Sequence, residues 1–140
     1  MKNDEFAGLG CLVTGAGRGI GRELALAFAA AGARVAVLDR DDSANAVVKE
    51  IRAAGGTAVP VMLDLADTAA IEPTLASLAS SGFGAIDILV NNAAIVNPRA
   101  FLDTTPADLE TVLRVNLHLA LGGSFERDVY TSTRVSEPSP

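Results

Sequence analysis

Thr14-Gly15-Ala16-Gly17-Arg18-Gly19-Ile20-Gly21 lies between two apolar stretches of different period. Before it, the run Leu9 to Val13 reads as a buried strand. After it, Glu23-Leu24-Ala25-Leu26-Ala27-Phe28 carries apolar residues at helical spacing. A strand, a glycine-rich turn and a helix start, in that order, form a phosphate cradle. The first turn of a helix has N–H groups without intrahelical acceptors and the positive end of the helix dipole, which stabilise a pyrophosphate. Glycine lets the backbone turn tightly and lets phosphates approach where a Cβ would collide.

Outward from this turn, strand and helix patterns alternate. The first helix is expected from Ile20 to Ala31, with Ile20, Leu24, Ala27, Phe28 and Ala31 on one face and Gly32 ending it. Arg34 to Leu38 reads as a second strand closed by Asp39. A second helix starts near Ser43 with Val47, Val48, Ile51 and Ala54 as its apolar stripe, and Gly55-Gly56 stops it. The third strand, Thr57 to Leu63, contains Pro60. A proline lacks the ladder N–H and so belongs on an edge strand. A third helix spans roughly Asp67 to Ala79 with Asp67 as N-cap, unless Pro73 delays regular helix to about Glu72. The fourth strand is Ile86 to Val90. After a loop from Ile95 to Asp103, Thr105, Pro106 and Asp108 form a helix start, with Leu109, Val112, Leu113 and Asn116 at helical spacing up to about Leu121.

This alternation predicts an α/β fold of the Rossmann type. It is a doubly wound parallel sheet in the order 3-2-1-4, with later strands missing and helices on both faces. The expected organisation is a dinucleotide-binding domain over 1–121 and an irregular tail over 122–140, beginning at Gly122-Gly123 and ending Ser136-Glu137-Pro138-Ser139-Pro140. The outer edge of the fourth strand would be open, which invites self-association.

Bulk properties narrow the function. The chain has 140 residues, 49% of them hydrophobic and 20% charged, enough for one domain with a core. Its net charge is −6 and its only lysines are Lys2 and Lys49, so nucleic-acid binding is disfavoured. No apolar run approaches the span of a bilayer, and the first residues lack a signal-peptide layout. The single cysteine, Cys11, fits a reducing cytoplasm and reads as a buried, inert thiol.

Asp39 stands about 20 residues beyond the glycine turn, where a dinucleotide-binding fingerprint expects an acid. A carboxylate there accepts both ribose hydroxyls of NAD and repels the 2′-phosphate of NADP. NAD is therefore the expected cofactor, although Arg18 and Arg40 could each reach a phosphate.

The glycines do not meet G-x-G-x-x-G strictly. Thr14-Gly15-x-x-x-Gly19-x-Gly21 instead resembles the short-chain dehydrogenase/reductase family, and further marks follow in family order over residues 9–117. The resemblance implies that Gly15, Arg18, Gly19, Ile20 and Gly21 surround the cofactor phosphates and that Asp64 and Leu65 lie beside adenine. Asn91-Asn92-Ala93-Ala94 resembles the family's Asn-Asn-Ala-Gly, implying that Asn91 is partly structural and that Asn91 and Ala93 line the cofactor ribose. Ala94 departs from that pattern. Asn116 matches the helix asparagine whose backbone carbonyl holds a water in a proton relay.

The family's chemistry is NAD(P)-dependent hydride transfer between alcohols and ketones. It requires a tyrosine, a lysine four residues later and an upstream serine. No lysine follows Lys49, so Tyr-x-x-x-Lys cannot occur. Tyr130 has Arg134 four residues on, only a superficial echo, and an arginine cannot act as a neutral donor. The solitary His118 reads as a helix-surface or partly packed residue. Two readings stand: a catalytically incomplete, apparently truncated oxidoreductase, or a stand-alone dinucleotide-binding or interaction module. A methyltransferase-like domain fits less well, because Asp64 and the Asn91 segment accompany Asp39.

Overall fold

A computed structural model describes residues 4–118. Four strands, β1 (Gly10–Thr14), β2 (Arg34–Asp39), β3 (Thr57–Met62) and β4 (Ile88–Val90), form one parallel sheet in the order β3-β2-β1-β4. Helices α1 (Gly19–Ala30), α2 (Ser43–Ala53), α3 (Ile71–Leu78) and α4 (Pro106–Leu113) connect or follow them. The fold is the doubly wound one expected. Pro60 lies on the edge strand, opposite Val37 of β2.

Two apolar layers hold the sheet. On one face Cys11, Val13, Val35 and Val37 pack against Ala25, Leu24 and Phe28 of α1 and Val47, Val48 and Ile51 of α2. On the other, Leu12, Ala36, Leu38 and Val61 pack against Leu75 and Leu78 of α3 and Phe83 beyond it. Every residue of β1 is buried, as a central parallel strand covered on both faces requires. Cys11 is fully buried, and burial pushes its thiol up to about 11, so thiolate chemistry is suppressed. The carboxylate of Asp87 aligns β4 by accepting the Gly10 N–H at 2.7 Å, while Asp87 N–H donates to the Gly10 carbonyl.

Several local expectations need correction. Ile20 is not on the packed face of α1: it is 74% exposed, whereas Gly21 and Ala25 are buried and Leu24 and Phe28 pack against the sheet. Ala27 and Ala54 are exposed as well. Asp67 makes no side-chain cap. Instead Asp64 accepts the Ala66 N–H at 2.9 Å, a short turn of 3₁₀ type spans Thr68–Ala70, and regular helix begins at Ile71. That start places Pro73 in the first turn, where its missing N–H would have no intrahelical partner. β4 is three residues long rather than five, since Asp87 spends its side chain on the neighbouring strand.

α4 begins as expected, with Thr105 and Asp108 forming a reciprocal capping box and Pro106 in the first turn. Its inward face differs. Leu109 and Leu113 are 54% and 42% exposed, and Val115 is the buried residue. Thr111, Val112 and Val115 face inward, one helical step from the expected stripe, and a π-type turn over Arg114–His118 closes the described helix. The expected continuation to Leu121, the 122–140 tail, Tyr130 and Arg134 lie outside the described residues, as does the side chain of His118.

The Thr105 hydroxyl and N–H, with Arg99 at 3.7 Å, hold the Asp108 carboxyl below its ordinary value. Its folded pKa is thus below the unfolded value of about 3.9. The capping box therefore contributes fully above that pH and is lost as pH falls through the folded value. An NMR titration of the Asp108 carboxyl should give a midpoint below that of an unfolded-chain reference. A midpoint at or above the reference would show that the box does not hold in solution.

Candidate cofactor cleft

The carboxyl ends of all four strands meet at one cleft of about 650 Å³. Gly15 follows β1, Asp39 ends β2, Asp64 and Leu65 follow β3, and Asn92 and Ala93 follow β4; all line it. The order reversal between β1 and β4 opens a crevice, the place where ligands bind in open α/β sheets.

The glycine turn supports the cradle by geometry. Gly15 has φ +63°, and a Cβ there would come within 2.9 Å of the Ala93 backbone. A Cβ on Gly17 would strike the Ser43 hydroxyl and approach the Asp39 carboxylate at 2.9 Å. Without it, the Gly17 N–H donates to Asp39 Oδ2 at 2.9 Å. Gly21 is buried against the Gly15 carbonyl and the Asn92 amide, so it serves packing. Gly19 opens α1 with φ +56° and is exposed. No side chain caps α1 and no acid occupies its first turn, so the positive end of its dipole is uncompensated. These features fit a phosphate-bearing ligand.

Asp39 is 7% exposed, with Oδ2 accepting from Gly17 and Oδ1 from the Arg40 N–H at 2.8 Å. Each oxygen retains acceptor capacity for a hydroxyl. Ser43 Oγ, beside Gly17, is buried without a hydrogen-bond partner. Arg18 and Arg40 also line the cleft.

A model of the short chain dehydrogenase family matches residues 10–124. The chain belongs to this family. It is 46% identical over 112 residues to the oxidoreductase EphD of Mycobacterium tuberculosis, covering 79% of this chain and 19% of that one. It is 43% identical over 107 residues to the 7alpha-hydroxysteroid dehydrogenase of Escherichia coli, covering 76% and 41%. A short chain dehydrogenase from Burkholderia cenocepacia, solved with NADP, superposes with a TM-score of 0.77 at 38% identity, covering 85% of this chain and 49% of that one. The chain thus spans less than half the length of these relatives.

Of the residues the dehydrogenase pattern puts at the cofactor, Gly15, Arg18, Asp39, Asp64, Leu65 and Ala93 line the cleft, with Asn92 and Ala94 beside them, whereas Gly19, Ile20, Gly21 and Asn91 are not in its lining. Ala94 has no positive φ, so the family's glycine is not required by the backbone here. Asn116, in the turn after α4, clamps Ile95: its Oδ1 accepts the Ile95 N–H and its Nδ2 donates to the Ile95 carbonyl, both at 2.8 Å. The loop after β4 is thereby pinned beside the cleft.

Thr14 was not expected to matter beyond the motif, yet it joins β1 to the segment after β4. Its hydroxyl donates to the Val90 carbonyl at 3.2 Å and accepts the N–H groups of Asn92 and Ala93, each at 3.0 Å. Asn92 Nδ2 returns to the Thr14 and Gly15 carbonyls. A threonine at the buried end of a strand was the available signal. Thr14→Val keeps the shape and leaves the Ala93 N–H without its acceptor, which should cost about 1–3 kcal/mol. Urea unfolding should show a lower midpoint at unchanged slope, and an unshifted midpoint would contradict this role.

Proposed function

We propose that this chain is the dinucleotide-binding half of a hydride-transfer oxidoreductase and that it takes NAD in preference to NADP. The observation that carries the reading is Asp39, a nearly buried carboxylate at the end of β2 that faces the cleft beside the glycine turn. Two backbone N–H groups orient it, leaving acceptor capacity for the two ribose hydroxyls. A 2′-phosphate would meet like charge. NADP stands in the Burkholderia structure, so the preference proposed here belongs to this chain's own acid.

In this reading Gly15 and Arg18 border the pyrophosphate at the start of α1, and Gly19, Ile20 and Gly21 form the helix start that carries the turn. Asp64 and Leu65 flank adenine, and the segment after β4 lines the cofactor ribose through Ala93, with Asn91 in a partly structural place beside it. Bound NAD would supply the hydride acceptor, and Asn116 would hold a relay water at its backbone carbonyl. Residues of the open β4 edge are the surface through which copies would associate, and a cytoplasmic location accords with the buried free thiol; no helix among the described residues is long and apolar enough to cross a membrane. The alternative, a non-catalytic binding module, draws on the absence of any lysine after Lys49.

Calorimetric titration should give tighter binding of NAD than of NADP. Asp39→Ala should weaken NAD binding by about 1–3 kcal/mol, the cost of removing a charged hydrogen-bond acceptor, and narrow the difference. Tighter NADP binding by the unaltered chain would overturn the assignment.

The 140-residue chain should bind without turning over. Positioned general acid/base groups contribute about 10²–10⁴-fold, and the tyrosine–lysine pair that supplies them is absent from this sequence. Absorbance at the reduced-cofactor band should not change with a panel of secondary alcohols and ketones. Turnover that disappears in Tyr130→Phe would make that residue catalytic and sink the non-catalytic expectation.

A further inference from the structure

Arg18 and Arg40 are the cations among the described residues that line the cleft. The other arginines near the sheet are engaged elsewhere: Arg22 with Glu50 at 2.7 Å, Arg34 with the Phe83 carbonyl at 3.0 Å, and Arg52 with the Ala58 carbonyl at 2.8 Å. Whether a phosphorylated ribose is tolerated therefore depends on Arg18 and Arg40 as well as on Asp39. Arg18 is the N-cap of α1, with extended backbone and a 71% exposed side chain. Its guanidinium Nη2 lies 3.8 Å from Asp41 Oδ2.

Asp41 does not itself line the cleft. Its carboxylate has a fixed orientation, because Oδ1 accepts the Ser43 N–H at 3.0 Å in a turn that starts α2. That leaves Oδ2 directed at Arg18. An exposed pair of this length contributes little to stability. Its effect lies in where it holds charge: it draws the one flexible cation on the glycine turn toward α2 and neutralises it there. On the same side, Asp39 keeps its own carboxylate between Gly17 and Arg40.

We propose that Asp41 is a positioning residue for cofactor selectivity, holding and neutralising Arg18 so that this guanidinium is not free to meet a ribose 2′-phosphate at the cleft. The proposal rests on the dinucleotide reading above and adds to it. Asp39 would reject the 2′-phosphate directly, whereas Asp41, in the turn between β2 and α2, would act through Arg18.

The test titrates the full chain calorimetrically with AMP and with 2′,5′-ADP, which share the adenosine end and differ in the 2′-phosphate. The variants are D41N, R18Q and the double substitution. Asparagine retains the acceptor for the Ser43 N–H, so the first turn of α2 persists, and far-ultraviolet circular dichroism with urea unfolding reports on folding of each variant. In low salt D41N should tighten 2′,5′-ADP binding about three- to fivefold, the most an exposed pair of this kind can withhold, with AMP unchanged. The gain should vanish in the R18Q background and shrink in high salt, where exposed charges are screened. A gain of equal size without Arg18 would overturn the mechanism, as would equal shifts for both ligands or none for 2′,5′-ADP. Wild-type chain that binds neither ligand would overturn the cleft's assignment itself; AMP binding by a chain whose 2′,5′-ADP affinity is indifferent to Asp41 would overturn this inference alone.

Discussion

The complete burial of β1 is the constraint on which the rest depends. Its five residues are covered by helices on both faces and by strands on both edges. Such a strand must leave the sheet abruptly, and at Thr14 the space around it is already filled by Asn92 and Ala93. Glycine at 15 is the solution, with φ +63° and no Cβ to meet the Ala93 backbone. The turn then delivers α1 with its N–H groups free of side-chain caps, directly over the crevice. Burial in the core thus produces an anion-favouring helix end at the surface.

The same turn is tied to β2. The Gly17 N–H and the Asp39 carboxylate are 2.9 Å apart, and the Ala16 N–H donates to the Leu38 carbonyl at 3.0 Å. Asp39 is consequently both a structural acceptor and the charge that faces the cleft. A second layer of charge lies outside it, where Asp41 meets Arg18. Acids and arginines thus alternate around the cleft, with Asp39 and Asp64 in its lining beside Arg18 and Arg40. Across the crevice, the wall from Asn92 to Val96 is held by Thr14, Asn92 and Asn116, which use hydroxyl and amide groups to hold irregular backbone where no ladder can.

α4 contributes less apolar burial than its sequence promises. Leu109, Leu113 and Leu117 line one exposed side, while Val115 alone is buried in the described part. Its start is nevertheless sharply defined by the Thr105–Asp108 box, and its end is anchored by the Asn116–Ile95 pair. Local hydrogen bonding rather than core packing therefore holds this helix in the described residues. The part of the chain that matches these family relatives spans less than half of their length.

The amino-acid sequence by itself determined the strand–helix alternation, the edge position of β3 and the family. Each is written in local signals: period 2 against period 3.6, a proline that cannot donate, glycines at a strand-to-helix junction. Asp39 was legible because its distance from the glycine turn corresponds to one helix and one strand. What only the tertiary structure decided is which neighbouring side chain points where. Asn92 rather than Asn91 lines the cleft, and α4 turns Val115 inward instead of Leu113. Thr14 becomes a cross-strand clamp, and Asp41 faces Arg18 from another element. These depend on the rotation of a strand end or a helix about its axis, which is set by packing partners 20 to 80 residues away. No window of sequence contains both sides of such a contact.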